Sequence, residues 1–520
     1  MSENFLKEIN PREYQKAIFE TSKSKNTLVV LPTGVGKTLI ALMLSIERLK
    51  KFPNHKVLFL APTRPLAEQH LDYFKKHLPE LFATMELFTG SVPPENRKKL
   101  FQNADIIFST PQCVANDLKN YLYDLRETSL LIEDEAHRCI NNYDYNLVAQ
   151  RYIQQSQNQR ILGLTASPGS EESRIKQICK NLSIEAVELR TRESPDVKEY
   201  LQDLDFEKIQ VNFPPEFQEI KELLKKIYDK KVEELKNRSL LFGMATKKSL
   251  LELQGKIMHR ISMGDKNLNI LSGASACAQA IKLQHALELL ETQTLYSLQQ
   301  YFLSMFEQAK QKKSKAIQNI VKQPEFNKAY VLMNELLAKK IENPKLSTLK
   351  AEIEHEFQQN PKMKAIIFAQ YRDTIVKICK ELNEINGIKA KVFVGQAKKG
   401  LGEKSSGLNQ REQKNVLIDF SHGEINVLCA TSIGEEGLDI PEVNAVIFYE
   451  PVPSAIRAIQ RAGRTARLMP GKLKILITKG TRDEGFYYAS RAKEKRMHTA
   501  IHSIKNKLES NKKEEKQKTL

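Results

Sequence analysis

Residues 31–38 read LPTGVGKT and follow directly on the apolar run TLVVL at 27–31, with LIALMLSIERL at helical spacing behind them. That order predicts strand, Gly-rich loop and helix. In this setting the loop is a phosphate cradle. Gly34 and Gly36 permit a tight path whose N–H groups turn inward, and the following helix adds the partial positive charge of its N-terminus. Thr33 and Val35 flank Gly34, Lys37 offers a point charge to the β- and γ-phosphates, and the hydroxyl of Thr38 suits Mg2+. Leu31 stands where the G-x-x-x-x-G-K-[ST] pattern has its first glycine, so by itself the stretch also reads as a turn before a helix with a surface lysine.

What surrounds the loop narrows the choice. A chain of 520 residues has room for about three domains with cores of their own. Lysine and arginine number 81 against 63 acids, a formal net charge of +18. Such a field draws polyanions, which puts nucleic acid first among partners and an acidic membrane surface second. No stretch is long and apolar enough to span a bilayer, and MSENFLKEINPREYQ lacks the apolar centre of a signal peptide, so a cytoplasmic location is expected. Cys113, Cys139, Cys179, Cys277, Cys379 and Cys429 form no CxxC pair, which disfavours a zinc site or a disulfide framework.

Further strands are predicted at 56–60 (KVLFL), 105–109 (DIIFS), 129–132 (SLLI) and 160–164 (RILGL), each running into polar residues at its carboxyl end. Strands alternating with helical segments imply a parallel α/β sheet with ligands at that edge. From about residue 196 to 342 strand signals fade, and apolar residues recur at three- and four-residue steps over 216–236, 247–261, 274–308 and 328–341. An all-helical domain inserted between α/β parts is expected there. A second parallel sheet is predicted from 365–369 (AIIFA), 391–394 (KVFV), 426–430 (NVLCA), 445–449 (AVIFY) and 473–477 (LKILI). The expected fold is thus α/β, two parallel-sheet domains at 1–195 and 343–490, an all-α domain at 196–342, and a charged helix or frayed tail at 491–520.

Asp134 and Glu135 end an apolar strand in the half that carries the phosphate loop. One carboxylate on a metal's hydration shell and its neighbour on an attacking water is an economical arrangement for NTP hydrolysis. In GRTAR, Arg464 and Arg467 stand three residues apart, on one face if the segment is helical; they suit a γ-phosphoryl group or form an exposed basic helix.

The ordered set LPTGVGKT, APTRPLAEQ, STPQ, DEAH, TASP, IIFAQYRDT, TSIGEEGLDIP and IQRAGRTAR resembles the motif series of superfamily-two helicases. FTGSVPPENR, QYRDT, FVGQ and the helical insertion resemble more closely the archaeal Hef helicases and their relatives, the Fanconi-anaemia M-type DNA translocases. The resemblance implies ATP bound between two RecA-like domains and ATP-driven processing of forked or branched DNA in replication repair. It implies no nuclease activity of these residues, because the XPF-type half often present in archaeal Hef has no counterpart in this sequence. Carried over by motif, it implies Gln15 for adenine, and Gly34, Gly36, Lys37 and Thr38 for the triphosphate. Asp134 would hold Mg2+, with Glu135 as the water-orienting base. Thr165 and Ser167 would couple hydrolysis to movement. Gly437 and Asp439 would approach the nucleotide from the second domain, with Gln460, Arg464 and Arg467 beside the γ-phosphate. Arg64, Thr89, Gly90, Thr110, Gln370, Gln396 and Thr431 would line a sequence-independent DNA track, although Thr89, Gln370 and Gln396 also read as local caps. Two other functions compete: a double-stranded-RNA-stimulated ATPase of the innate-immune sensor type, and a nucleic-acid-binding scaffold with a decayed ATPase. Retention of Lys37, Thr38, Asp134, Glu135, Arg464 and Arg467 argues against the last.

Overall fold

In the computed structural model, residues 9–79, 81–265, 267–395, 407–431, 440–454, 465 and 470–518 are described. The first sheet takes seven strands: β1 Thr27–Val30, β2 Lys56–Leu60, β3 Met85–Phe88, β4 Ile106–Ser109, β5 Thr128–Asp134, β6 Ile161–Thr165 and β7 Ala186–Leu189. Their order across the sheet is β3-β4-β2-β5-β6-β1-β7, and every pairing is parallel. Successive residues of β1 and β2 feed opposite faces. Leu28, Val30, Leu58 and Leu60 enter one core, and Val29, Val57 and Phe59 enter the other. Burial on both faces is why these strands read as unbroken apolar runs.

The second sheet begins earlier in the chain than expected. β8, Leu204–Val211, lies inside the stretch read as all-helical, yet it pairs along eight residues with β13, Gly471–Thr478. Between them come β9 Ala365–Phe368, β10 Ala390–Phe393, β11 Val427–Ala430 and β12 Ala445–Phe448, in the order β10-β11-β9-β12-β13-β8, again all parallel. LDFEKIQV offers no apolar run, and its alternation of apolar and polar residues is broken at Glu207-Lys208, in keeping with a largely exposed strand.

The helical bundle follows β8. Its principal helices are Gln218–Asn237, Lys247–Ser262, Leu268–Thr292, Leu295–Lys310 and Pro324–Ala338. The single stretch expected over 274–308 is broken at Gln293, where Thr294 starts a new helix by accepting the Ser297 amide proton. The bundle is bolted to the second sheet by buried polar contacts. Lys345 Nζ, wholly enclosed, donates to Asp483 Oδ2 at 2.7 Å and to the Thr292 carbonyl at 2.6 Å. Thr374 Oγ1 donates to Gln293 Oε1 at 2.8 Å, and Arg482 pairs with Glu291 at 3.1 Å.

The stretch expected to be a charged helix or frayed tail belongs to the helix Arg482–Lys518. Met497, Ala500, Ile501 and Ile504 are buried in the core of the first sheet, and Lys507 pairs with Glu172 at 2.9 Å. Apolar residues at three- and four-residue steps within a charged sequence give the helix a face to bury. All six cysteines are buried with free thiols, and no helix among the described residues is long and apolar enough to cross a membrane.

Candidate functional site

The phosphate loop leaves the carboxyl end of β1 and ends in the helix Lys37–Lys51. Gly34 and Gly36 have φ of 83° and 79°, the left-handed region that favours glycine, and a Cβ on Gly36 would collide with the Gln15 amide. Lys37 Nζ donates to the Leu31 and Pro32 carbonyls, each at 3.1 Å, which folds the side chain across the loop. Val35 is buried, and its carbonyl accepts from Tyr14 Oη at 2.6 Å. Thr33 and Thr38 are half-buried on the same loop and first helical turn.

Gln15 packs against this loop from the first helix. Its Oε1 accepts the Arg12 amide proton at 2.9 Å, and its Nε2 donates to the carbonyls of Val35 at 3.2 Å and Gly36 at 3.4 Å. Both ends of the amide are engaged by backbone, one capping a helix and the other bracing the loop. The residue thereby supports the cradle.

β5 delivers Asp134 to the same sheet edge, and Glu135 follows in a left-handed conformation with φ of 52°. Burial pushes the Asp134 carboxyl up. The hydrogen bond from His70, with the positive fields of His70 and Lys37, outweighs it and holds the group below its ordinary value. A buried carboxylate kept ionised is a fitting ligand for a divalent cation. No cluster of three or more His, Cys, Asp or Glu suited to a metal occurs among the described residues. The donor set of Thr38 and Asp134 therefore suits Mg2+ carried in with a nucleotide's phosphates. His137 Nδ1 stands 3.2 Å from Glu135 Oε2 and 3.3 Å from Thr165 Oγ1, and Thr165 Oγ1 also accepts the Ser167 amide proton at 3.1 Å. Ser167 Oγ in turn donates to Met497 Sδ of the C-terminal helix at 2.9 Å.

The expected track residues that are described all follow strand ends at the carboxyl edges of the two sheets. Arg64, exposed, opens the helix Arg64–His77 after β2, and Thr110 directly precedes the helix Pro111–Lys119 after β4. Thr89 and Gly90 follow β3. Thr89 is buried with its hydroxyl 2.7 Å from that of Ser91, whereas Gly90 is exposed with open space beside it. Arg97 holds this turn from below: its Nη1 donates to the Thr89 carbonyl at 3.4 Å and its Nε to Asp117 at 2.7 Å. Gln370, exposed, follows β9, and its backbone amide donates to Glu450 at 2.6 Å. Thr431 is buried after β11. Gln396, Gly437, Asp439, Gln460, Arg464 and Arg467 lie outside the described residues. Three contributors were not anticipated: His70 on Asp134, Met497 on Ser167, and Tyr145, whose hydroxyl donates to the Asp134 carbonyl at 2.7 Å. Only His70 had a local signal, as the residue directly after APTRPLAEQ.

Three family models match successive parts of this arrangement. The DEAD/DEAH box helicase model covers residues 12–175, a helical-bundle model named for an ATP-dependent RNA helicase covers 216–342, and the helicase conserved C-terminal domain covers 344–469. A Methanocaldococcus jannaschii protein named as an ATP-dependent RNA helicase is 38% identical over 94% of this chain and 60% of its own length. The ATP-dependent DNA helicase mph1 of Neurospora crassa is 33% identical over 91% of this chain and 41% of its own length, so the chain spans about half the length of these relatives. The crystal structure of the Pyrococcus furiosus Hef helicase domain is 42% identical, superposes with a TM-score of 0.68, and is covered over 98% of its length by 92% of this chain. With two parallel sheets, the bundle between them and the motif residues at the sheet edges, the chain belongs to the Hef group of DEAD/DEAH-box helicases.

Proposed function

We propose that the protein is an ATP-driven DNA translocase or helicase that acts on forked or branched DNA in replication repair. The observation that carries this reading is one of placement. The phosphate loop, the Asp134–Glu135 pair and the described track residues share the carboxyl edges of the parallel sheets, so one movement between sheets reaches nucleotide and strand together.

Thr38 and Asp134 would hold Mg2+, which when bound neutralises charge on the phosphates. Lys37, released from the Leu31 and Pro32 carbonyls, binds the β- and γ-phosphates. Glu135 orients the attacking water and receives its proton, with His137 holding the carboxylate from the other side. His137 also faces Thr165, so a change at Glu135 reaches the Thr165–Ser167 turn directly. Arg464 and Arg467 approach the γ-phosphate from the second sheet, as the family's motif order implies. DNA contacts go to phosphates and carry little sequence preference.

ATP turnover measured without polymer, with forked DNA and with duplex RNA tests the reading. Strong stimulation by forked DNA is expected. The RNA arm matters because one relative and one matching family model carry an RNA-helicase name. Equal or greater stimulation by duplex RNA would overturn the DNA assignment, and no turnover under any condition would overturn the motor itself.

A further inference from the structure

We propose that His70 is a positioning residue that orients the Asp134 carboxylate and ties it to the helix whose first turn meets the DNA strand. The inference rests on the motor reading above.

Arg64 opens the helix Arg64–His77 at its exposed end, and His70 lies six residues further on, about 9 Å along the helix axis, on its buried side. Its Nε2 is 2.9 Å from Asp134 Oδ2, and both residues are 7% exposed. Among the described residues His70 is the side chain hydrogen-bonded to that carboxylate, whereas Lys37 acts on it through its field. The imidazole has little freedom to turn away. It lies over the Phe59 ring with centroids 4.4 Å apart, and Phe59 packs on Phe74 at 5.8 Å and Phe108 at 5.4 Å. Phe74 belongs to the same helix as His70, while Phe59 and Phe108 sit on β2 and β4. The aromatic group thus fixes the ring relative to both the helix and the sheet.

With one carboxylate oxygen held by an N–H donor, the other keeps a defined direction. Groups in this position commonly set metal affinity through the ligand they orient. The geometry also gives a route for stimulation. A strand seated at Arg64 bears on the helix, the helix carries His70, and His70 carries Asp134. The role uses the Nε2–H donor and needs no change of charge on the ring.

The test is nucleotide binding without turnover, read from a fluorescent ATP analogue titrated with Mg2+ on the full chain, with and without forked DNA. In His70→Ala the Mg2+ needed for half-maximal binding should rise by on the order of 10-fold, the lower end for loss of such a partner. His70→Gln, which sets an amide donor near the Nε2 position, should restore it to within about twofold, while His70→Asn should not. Thermal unfolding of each variant checks that the fold is kept. In the wild type, forked DNA should lower the Mg2+ requirement, and in His70→Ala that shift should vanish. An unchanged requirement in a folded His70→Ala, or a His70→Gln as impaired as His70→Ala, overturns the positioning role. A wild type whose Mg2+ requirement ignores forked DNA overturns the coupling, whereas failure of the motor reading shows separately as absent DNA stimulation of turnover.

Discussion

On the proposed mechanism Lys37 and Glu135 serve the same triphosphate at different stages, and substitution should separate them. The Lys37 ammonium meets phosphates already in the ground state, so Lys37→Ala should weaken ATP binding by about 10- to 100-fold, as expected for loss of a charged hydrogen bond. Glu135 acts on the water, so Glu135→Gln should keep ATP affinity within about twofold and lower turnover by on the order of 10²–10³-fold. Affinity and single-turnover measurements on both variants check this, and wild-type turnover in Glu135→Gln would remove the assignment. One residue before Asp134, Glu133 is enclosed in the sheet. Cys139 Sγ donates to its Oε2 at 2.7 Å, and its Oε1 has no partner among the described residues. Burial pushes this carboxyl up to about 8, against the opposing effect of the Cys139 hydrogen bond. Between roughly pH 4.3, the ordinary value for glutamate in an unfolded chain, and about 8, the folded protein therefore holds a proton that the unfolded chain has lost. The stability this contributes is whole below that window and lost as pH rises through it, with a slope of up to about 1.4 kcal/mol per pH unit. Glu133→Gln stays neutral throughout, so urea unfolding at pH 5, 6.5 and 8 should give a flatter profile for the variant. Parallel profiles would show that Glu133 titrates normally.

Among the elements, what the sequence disclosed and what it hid divide largely by position in the sheet, the edge strand β10 being an exception that KVFV reveals. The inner strands β1, β2, β4, β5, β6, β9, β11, β12 and β13 are covered on both faces and show as apolar runs, with ends shifted by a residue or two at most positions. β3, β7 and β8 are edge strands, paired on one side only, and MELF, AVEL and LDFEKIQV carry charge into the strand. With one neighbour and a wet face, such strands need no apolar run, so composition does not reveal them. The candidate site was legible where a glycine or a strand end fixed it, as at Gly34, Gly36 and Asp134. It was not where long-range packing did, as for Met497 against Ser167, 330 residues apart. The bundle carries a prediction of its own. Lys310, Lys312, Lys313 and Lys315 are all exposed around the turn after the helix Leu295–Lys310. If this turn meets a duplex arm, replacing the four lysines with Gln should reduce fork affinity and flatten its salt dependence, the slope falling by about 0.9 for each phosphate no longer neutralised. ATP affinity should not change, and single-strand affinity should change less. Fork and linear binding that both match wild type across a salt series would leave the bundle as a spacer.

For the molecule as a whole, the proposed function has two bodies act on one nucleotide. The family's motif order assigns Arg464 and Arg467 to the second sheet, opposite a phosphate loop on the first. Arg464→Ala or Arg467→Ala should each lower turnover by on the order of 10³-fold, the lower end for an arginine supplied in this way. Steady-state ATPase with saturating forked DNA measures it, and a loss below threefold in both variants would argue against closure of the two sheets over the nucleotide. The bundle travels with the second sheet, since Lys345, Asp483, Thr374 and Gln293 join them through enclosed bonds that would be costly to break. Between this unit and the first sheet the chain passes twice. It crosses once in the segment from β7 to β8, and again in the helix Arg482–Lys518, which leaves the second sheet and buries Met497 and Ile501 in the first. Both crossings border one cavity of about 330 Å³, lined by Arg190, Thr191, Leu204, Arg491 and Met497. A body held at one point swivels freely, but a body held at two turns only about the line that joins them. On the proposed motor reading, the C-terminal helix and the segment from β7 to β8 would together confine the movement that hydrolysis drives to turning about one line.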